Sequence, residues 1–243
     1  TALITGATSG IGHEFARQLA SRGHDLILVA RDRERLDAVA ADLGSTYGVS
    51  VEVLPADLAD RDQLLLVEQR LAEDDRPVDL LVNNAGFGLK KRFLDSDVAD
   101  EQAMIDVLVT AVMRLSHAAL GAMAARGKGG LINVSSVASF LPRGTYSAAK
   151  AWVTSFGQWA ANEYRSQGIT VLTLCPGFTR TEFHSRMGVR RQSAPDLLWL
   201  ESDFLVERSL ADFDKGRELS IPGGQYKLIT SAARVIPRRA LQT

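Results

Sequence analysis

The sequence predicts one α/β domain over residues 1–243, a doubly wound parallel sheet with helices on both faces and a short lid insertion. Short apolar segments alternate with longer amphipathic segments along most of the chain. The apolar segments are almost continuously hydrophobic, which is typical of parallel strands covered on both faces. A chain of 243 residues can bury a large core, and open α/β sheets commonly use this length in a single domain.

The individual elements follow from this alternation. Strands are predicted at residues 2–5, 26–30, 51–54, 80–82, 131–134, 171–174 and 219–221. Helical patterns fill the intervals, at residues 12–22, 33–43, 63–72, 101–126, 148–167 and 203–213. Right-handed crossovers between parallel strands then give repeated strand-helix-strand units.

The regular alternation breaks down after Pro176. Residues 182–200 mix Arg, Gly, Pro and large apolar side chains without a clear period, so a lid or substrate segment is expected at about 182–215. The tail from residue 225 to residue 243 is basic at Arg234, Arg238 and Arg239. We expect this tail to be a solvated C-terminal end.

Composition and charge exclude several classes of function. The formal net charge is -1, and no block of Lys or Arg would follow a phosphate backbone, so nucleic acid is not an expected partner. No stretch approaches the roughly 20 unbroken apolar residues of a membrane span. The one cysteine, Cys175, lies in an apolar run and is expected to be a buried thiol in a reducing, cytoplasmic compartment. Upstream residues are expected, because the chain starts on a strand without Met.

A glycine-rich loop joins the first strand to the first helix. Gly6, Gly10 and Gly12 there allow a tight turn, close approach of the backbone to a pyrophosphate, and close contact between helix and sheet. The helix N-terminus beyond them offers N–H groups and partial positive charge to phosphates. The loop therefore predicts a dinucleotide site, which also includes Thr8, Ser9 and Ile11.

A second group of residues has the chemistry of proton transfer to a carbonyl. Tyr146 and Lys150 stand four apart at the head of a helical pattern, so they share one face. The charge of Lys150 is expected to lower the pKa of the phenol, which is otherwise too weak an acid. Ser136 would donate a hydrogen bond to the substrate oxygen, and the adjacent Ser135 is its rival.

These motifs together resemble those of the classical short-chain dehydrogenases/reductases. The matches are T-G-x-x-x-G-I-G at 5–12, N-N-A-G at 83–86, Y-x-x-x-K at 146–150 and P-G-x-x-x-T at 176–181. The resemblance runs from Thr1 to about Gly223, and within it Ser136 aligns best as the catalytic serine. It implies a Ser136, Tyr146 and Lys150 site, with Tyr146 and Lys150 also contacting the nicotinamide ribose side of the cofactor. The spacing from Ser136 to Tyr146 is shorter than usual, which indicates a trimmed loop around residues 142–144.

The resemblance also assigns the remaining cofactor contacts. Asp57 would contact the adenine with Leu58 beside it, although an Asp there could instead cap the next helix, for which Asp60 is better placed. In the N-N-A-G segment, a cofactor role is favoured for Asn83 and a structural one for Asn84. The other residues assigned to the cofactor by resemblance are Ala85, Gly86, Pro176, Gly177, Thr179 and Thr181, with Thr179 as the local rival of Thr181.

The residue after the second strand predicts the choice of cofactor. An Asp or Glu there would favour NAD, but this chain has Arg31, whose guanidinium can pair with the 2'-phosphate of NADP. Arg33 could add to this charge. The alternative is that Arg31 pairs with Asp32 or Glu34 on the surface. We therefore expect NADP(H) as the cofactor, and no metal.

One position departs from the family pattern. Where the classical family has an Asn in the fourth helix that holds a water next to the active-site Lys, this chain has Leu108. A leucine cannot hold a water, so either protons reach Lys150 by another route, or turnover is slow, or the chain has kept the cofactor site while losing much of its catalysis. Asp106, Thr110 and His117 are the nearby polar substitutes, but helical spacing turns Asp106 away from the face of Leu108, and His117 is expected on the helix surface.

The leading hypothesis is an NADPH-dependent reductase of a ketone or aldehyde, or the reverse reaction. An apolar substrate is suggested by large side chains expected near the pocket, namely Phe87, Phe140, Leu141, Phe178, Phe183, Leu197 and Trp199. The alternative is an NADP(H)-binding protein with little or no turnover, a redox-responsive partner protein, because of Leu108. By resemblance, the helices at 101–126 and 148–167 suggest a homodimer or homotetramer.

Overall fold

The computed structural model of the chain describes residues 1–181 and 195–235. Seven parallel strands form one sheet in the order β3-β2-β1-β4-β5-β6-β7. The strands are β1 (Ala2–Thr5), β2 (Leu26–Ala30), β3 (Val51–Pro55), β4 (Leu80–Asn83), β5 (Gly129–Val134), β6 (Ile169–Leu174) and β7 (Leu219–Ser220). The predicted doubly wound parallel sheet is confirmed.

Eight α-helices are assigned in the described ranges. They are α1 (Gly10–Ser21), α2 (Arg33–Tyr47), α3 (Arg61–Leu71), α4 (Val98–Ile105), α5 (Ala111–Arg126), α6 (Gly144–Tyr164), α7 (Ser202–Asp214) and α8 (Gly224–Val235). A π turn (Asp106–Thr110) joins α4 directly to α5. Short 3-10 turns lie at Phe93–Asp95, Val137–Phe140, Arg165–Gln167 and Asp196–Leu198.

The sheet is covered on both faces because its strand residues alternate between two cores. On one face, Leu3 and Leu81 pack with residues of α3, α5 and α6. On the other face, Ile4 and Val82 pack with residues of α1, α2 and α7. This two-sided burial is the reason that the strand sequences read as continuous apolar runs.

The order of the strands places the binding crevice. The sheet is wound outward in both directions from the neighbouring strands β1 and β4. Successive connections therefore leave the sheet on opposite faces at this point and open a crevice at the carboxyl ends of the strands. Ligands bind at such a switch point in doubly wound folds.

Several predicted boundaries were wrong. α6 starts at Gly144 and not at residue 148, so Tyr146 and Lys150 lie in its first two turns. The tail is not a solvated end as far as Val235, because α8 extends to that residue and buries Tyr226 to 2% exposure. Leu205 and Leu210 of α7, the helix predicted at residues 203–213 within the expected lid segment, pack in the core. Residues 182–194 of that segment lie outside the described residues.

The run Val98–Arg126 is long and apolar enough to cross a bilayer by length and composition alone. Half of its most apolar window is buried inside the protein. Leu115 and Leu120 of this run pack in the core beneath the sheet. Core helices of soluble proteins pass the same test, so the run is weak evidence for a membrane span.

Candidate active site

The glycine loop forms a close-fitting turn at the end of β1. Gly6 and Gly10 have φ angles of 68° and 55°, which L side chains rarely adopt. A Cβ on Gly12 would lie 2.3 Å from the carbonyl oxygen of Gly6 and 2.3 Å from Nδ2 of Asn84. Gly12 therefore serves the packing of helix against loop, and the first N–H groups of a helix such as α1, which have no intrahelical partner, are suited to bind a phosphate.

Asn84 and Thr5 hold this loop in place. The Asn84 amide donates to the carbonyl oxygens of Thr5 at 2.9 Å and Gly6 at 3.3 Å. In return, the Thr5 hydroxyl accepts from the backbone N–H groups of Asn84 and Ala85 at 2.9 and 3.0 Å. The loop after β4 is thereby tied to the glycine loop, in agreement with a structural role for Asn84.

Asn83, for which the sequence favoured a cofactor role, lies off the wall of the candidate cavity in the described ranges. It is 4% exposed and donates to Ser116 Oγ at 3.1 Å and to Asn133 Oδ1 at 2.9 Å. Successive side chains of an extended chain point to opposite sides, so Asn83 faces the helices while Asn84 faces the loop. Asn83 therefore joins β4, β5 and α5.

The crevice at the carboxyl ends of the strands contains a cavity of about 730 Å³. Of the predicted site residues, Gly12 and Asn83 lie off its wall, and both belong to the described ranges. All the others line it, namely Gly6, Thr8, Ser9, Gly10, Ile11, Arg31, Asp57, Leu58, Ala85, Gly86, Ser136, Tyr146, Lys150, Pro176, Gly177, Thr179 and Thr181. Both halves of the predicted site therefore share one cavity.

Two arginines lie at the end of the cavity beyond β2. Arg31 is 75% exposed, and its Nη1 lies 3.9 Å from Oδ2 of Asp57. Arg35, which the sequence analysis missed, also lines the cavity, and its Nη2 donates to the Thr8 carbonyl at 3.3 Å. Asp32 caps α2 by accepting from the Arg35 N–H at 3.0 Å. The sequence analysis considered only the residue that follows β2 and its neighbour Arg33, so it did not select Arg35 in the first turn of α2.

Other polar residues resolve the alternatives left open by the sequence. Asp60, not Asp57, caps α3, because its carboxylate accepts from the N–H groups of Asp62 and Gln63. Arg33 pairs with Asp37 at 3.6 Å on the surface of α2 and lies off the cavity wall within the described ranges. Arg33 therefore does not contribute its charge directly to the cavity wall.

Ser136, Tyr146 and Lys150 meet at the opposite end of the cavity. The Ser136 hydroxyl accepts from the Ala138 N–H at 3.1 Å and forms a hydrogen bond with Tyr146. Lys150 Nζ donates to the Val134 carbonyl at 2.7 Å and lies 5.9 Å from the centroid of the Tyr146 ring. This arrangement places a hydroxyl, a phenol and an ammonium group around one space.

The rival serine has a different role. Ser135 Oγ donates to the Lys150 carbonyl at 2.8 Å and lies 2.7 Å from the hydroxyl of Thr154. The same Thr154 hydroxyl lies 3.8 Å from Sγ of the buried Cys175. Ser135 thus fixes α6 against β5 from behind, while Ser136 faces the phenol. Burial raises the pKa of the Cys175 thiol, which fits an unreactive core residue.

The charges of the site differ from the sequence expectation. Burial raises the pKa of Tyr146 to about 12, and the hydrogen bond with Ser136 opposes the rise only in part. Burial also lowers the pKa of Lys150 to about 8. The net shift of the phenol pKa is thus upward, opposite to the direction expected from the charge of Lys150, because burial disfavours the charged phenolate.

Most of the large apolar residues predicted near the pocket lie elsewhere. Phe87 lines the cavity, and Phe183 lies outside the described residues. Phe140, Leu141, Phe178, Leu197 and Trp199 are in the described ranges but lie off the wall of this cavity. Ala103 of α4 and Val107 of the π turn line it instead. The sequence pattern located the segments but not the direction of their side chains.

Tyr226 supports the cavity from behind and was also missed. Its hydroxyl accepts from the Phe178 N–H at 2.8 Å and donates to the Leu198 carbonyl. A Cβ on Gly177 would lie 2.0 Å from the Tyr226 ring, so glycine is needed there for close contact. The tail helix α8 therefore fixes the segment that begins at Pro176, and the basic tail gave no signal of this.

The comparison with known families agrees with this geometry. The short chain dehydrogenase profile matches residues 1–191. The chain belongs to the short chain dehydrogenase family. The predicted membership is confirmed, and members of this family are oxidoreductases.

This short chain dehydrogenase is similar to a longer reductase. Very-long-chain 3-oxoacyl-CoA reductase of Anas platyrhynchos is 34% identical over 188 residues, which are 74% of this chain and 60% of that protein. The chain therefore spans less than two thirds of that relative.

Two solved structures are similar over almost the whole chain. A short-chain dehydrogenase from Sphingobium yanoikuyae in complex with NADPH has 38% identity and a TM-score of 0.88, covering 96% of this chain and 93% of that one. The bulky-bulky ketone specific alcohol dehydrogenase from Comamonas testosteroni has 33% identity and a TM-score of 0.84, covering 96% and 91%.

The residues present fit the nicotinamide dinucleotide that this family binds. The glycine cradle would be blocked by added Cβ atoms, and the described first turn of α1 contains no acidic residue that would repel a phosphate. Arg31 and Arg35 provide positive charge at the far end. A pyrophosphate at the N-terminus of α1 is the expected arrangement.

Leu108 marks the departure of this short chain dehydrogenase from the family pattern. It lies in the π turn, has 0% exposure, and packs with Met104 and Ala149. A Cβ on Gly86 would lie 2.7 Å from Leu108 Cδ2 and 3.8 Å from Lys150 Nζ. An apolar side chain therefore closes the side of the site behind Gly86.

The polar neighbours in the same helix do not replace the missing Asn. Asp106 accepts hydrogen bonds from Gln102 at 3.0 Å and Thr110 at 3.3 Å, and His117 is exposed. Both positions agree with the sequence analysis.

Proposed function

We propose that this chain is an NADPH-dependent reductase that converts a lipophilic ketone or aldehyde to an alcohol, or catalyses the reverse reaction. The observation that carries the proposal is that Ser136, Tyr146 and Lys150 line the same cavity as the glycine loop. A dinucleotide on the loop and a carbonyl beside the phenol then share one enclosed space.

Each side chain has a defined part in the proposed reaction. When bound, the nicotinamide supplies the hydride. Tyr146 donates its phenol proton to the carbonyl oxygen, and Ser136 donates a hydrogen bond to the same oxygen as its charge develops. Lys150 lies 5.9 Å from the phenol ring and, while protonated, stabilises the phenolate that remains. The Ser135 hydroxyl donates to the Lys150 backbone carbonyl, and the Val134 carbonyl accepts from Lys150 Nζ. Both contacts hold Lys150 in place.

A lipophilic carbonyl is supported by the cavity wall and by the relatives. Phe87, Ala103 and Val107 are among the apolar residues of the wall, and Phe87 packs in the same cluster as Tyr146. The similar proteins are named for a 3-oxoacyl-CoA and for bulky ketones, both of which carry a carbonyl between large groups. A ketone with apolar substituents is therefore the best-supported substrate class.

A preference for NADP(H) is supported by Arg31 and Arg35. Guanidinium groups bind a phosphate in fork geometry, and Asp32, which also lines the cavity, caps α2 with one carboxylate oxygen. A similar structure holds NADPH. These observations favour a site that accepts the 2'-phosphate.

The second candidate is an NADP(H)-binding protein with little or no turnover. It is favoured by Leu108, because an apolar, fully buried side chain stands where the family pattern has an Asn. The intact Ser136, Tyr146 and Lys150 favour the reductase.

The deciding experiment follows NADPH oxidation with a panel of ketones and aldehydes in the native chain, Tyr146→Phe and Leu108→Asn. The reductase is supported if the native chain turns over a ketone and Tyr146→Phe does not. No native turnover, with activity gained in Leu108→Asn, would support the second candidate.

We also propose that the chain forms a homo-oligomer through α5 and α6. A row of aromatic rings runs along α6, with Trp152 and Phe156 stacked at 5.0 Å and Trp159 5.8 Å from Phe156. Trp159 is 52% exposed, and Met113 on α5 is 46% exposed. Exposed apolar surface of this kind favours a second copy of the chain over water.

A further inference from the structure

Glu101 is a buried carboxylate of α4 that lies outside the cavity wall within the described ranges. It is only 6% exposed. One carboxylate oxygen accepts from the Thr145 hydroxyl at 2.5 Å, and the other accepts from the Ser96 hydroxyl at 2.7 Å. Within residues 1–181 and 195–235, no cation forms an ion pair with it. Since an unpaired buried carboxylate is costly, these two hydroxyl contacts need a reason.

The helix that Glu101 touches lacks local support at its start. α6 begins at Gly144, which has a φ of 77°. In the described part of the chain, its N-cap residue Arg143 forms no side-chain capping bond, and its first turn contains no acidic residue. A helix N-terminus with neither feature is less stable and less well fixed.

Glu101 supplies from α4 what the sequence of α6 does not. Thr145 is the second residue of α6, so the carboxylate lies at the positive end of the helix, where negative charge is stabilising. Thr145 directly precedes Tyr146 in the same turn. A shift of that turn would therefore move the phenol relative to Ser136.

Ser96 holds the carboxylate in this position. Its hydroxyl also contacts the Phe93 carbonyl at 2.9 Å, at the end of the loop that starts beside the cavity at Phe87 and Gly88. Glu101 thus connects the loop that borders the cavity to the turn that carries Tyr146.

We propose that Glu101 is a positioning residue for Tyr146, acting through Thr145 on the first turn of α6. The inference rests on the proposed reductase function. Glu101 does not itself contact the reacting atoms, so its effect falls on the orientation of the phenol and not on cofactor binding.

The test compares Thr145→Val with Thr145→Ser. Valine keeps the shape of threonine but removes the hydroxyl, and serine keeps the hydroxyl. We expect Thr145→Val to lower kcat about ten- to a hundredfold, because small misplacement of a reacting group has effects of this size. The KM for NADPH should not change, and Thr145→Ser should restore most of kcat.

Glu101→Gln and Asp100→Asn form the matched pair on α4. Glu101→Gln keeps the size of the side chain but removes the negative charge beside the start of α6 and replaces one acceptor oxygen by a donor NH2 group. Asp100 is exposed on the same helix, so Asp100→Asn should keep the native kcat. Equal kcat in Glu101→Gln, Thr145→Val and the native chain would overturn the inference.

Amide hydrogen exchange at residues 144–147 separates this inference from the proposed function. If the native chain shows no ketone turnover, the reductase proposal fails, and exchange alone decides the role of Glu101. Faster exchange there in Glu101→Gln than in Asp100→Asn supports the positioning role. Equal exchange in the two variants would reject it.

Discussion

The three side chains proposed to act on the carbonyl are each held by a different backbone segment. Ser136 caps the 3-10 turn after β5, Tyr146 lies in the first turn of α6, and Lys150 donates to the carbonyl of Val134 in β5. Three separate supports fix one small group of atoms, which is what orientation-dependent proton transfer requires.

The sequence motif predicts which residues form the site, whereas the folded structure sets the protonation state of Tyr146 and Lys150. The motif spacing identified Tyr146 and Lys150, but the pKa of each depends on how completely the folded chain excludes water. Burial by distant segments is not encoded in a four-residue spacing. For the same reason, Arg35 could not be selected over Arg33 before the direction of each side chain was known.

We predict that Arg31 and Arg35 determine the preference for NADPH over NADH. Arg31→Leu and Arg35→Leu should each raise the KM for NADPH about ten- to a hundredfold, the worth of a charge-assisted hydrogen bond of roughly 1.5–3 kcal/mol. The KM for NADH should change little, because NADH lacks the 2'-phosphate. Steady-state kinetics with both cofactors checks this.

Arg33→Leu is the control for these variants, because Arg33 pairs with Asp37 away from the cavity wall within the described ranges. An equal loss of NADPH affinity in Arg33→Leu would mean that only the net charge matters. Equal losses for NADH and NADPH would reject contact with the 2'-phosphate.

The shifted pKa of Lys150 predicts a pH-dependent stability. Its folded pKa of about 8 lies below the ordinary value of about 10.4, so between these values the unfolded chain binds more protons than the folded chain. The free energy of unfolding should therefore rise with pH in this window, by about 3 kcal/mol from this residue. The rise should be absent in Lys150→Met.

Denaturant unfolding of the native chain and Lys150→Met, from about pH 7 to about pH 10, measures this difference. Tyr146 has the opposite sign, because its raised folded pKa removes stability between about pH 10 and about pH 12. Parallel profiles for the two proteins below pH 10 would show that Lys150 is not perturbed by burial.

At the scale of elements, two helices position the site in ways that their own sequences did not reveal. The continuous pattern from residue 101 to residue 126 predicted one helix, but the structure inserts the π turn at Asp106–Thr110. Leu108 lies in this turn against Gly86, and Gly86 is also close to Lys150 Nζ. The π turn therefore brings an apolar side chain close to the proposed catalytic lysine. A π turn has no distinct composition, because only packing decides where the extra residue is accommodated.

The tail helix α8 provides a prediction at this scale. Tyr226→Ala should lower the free energy of unfolding by roughly 3–5 kcal/mol, the usual cost of removing a buried large aromatic ring. It should also raise the KM for NADPH, because the ring packs against Gly177 and its hydroxyl holds Phe178. Tyr226→Phe should cost about 1 kcal/mol per lost hydrogen bond.

Thermal unfolding and NADPH titration of these variants check the role of α8. Leu228→Ala is the control on the same helix, because Leu228 is 73% exposed and its loss should change stability by less than about 0.5 kcal/mol. If Tyr226→Ala behaved like Leu228→Ala, the helix would not support the segment after Pro176.

At the scale of the whole molecule, the aromatic row on α6 predicts assembly. Trp159→Glu should convert the proposed homo-oligomer to a species near the 26.4 kDa of one chain, because a charge in an apolar interface is strongly disfavoured. Size-exclusion chromatography with light scattering measures this mass. Phe204→Glu, at a 43% exposed position on α7, is the control and should leave the mass of the assembly unchanged. A native chain that already runs at the mass of one copy would contradict the prediction.

The sequence by itself determined the doubly wound sheet and the glycine loop, and it predicted Tyr146 and Lys150 as site residues from their spacing. These depend on local patterns, because strand burial, tight turns and helical spacing are written in neighbouring residues. Only the tertiary structure decided the orientation of Asn83, the support from Tyr226 and the link from Glu101 to Thr145. Each joins residues that lie 44 to 50 positions apart, so the contact exists only after the chain has folded.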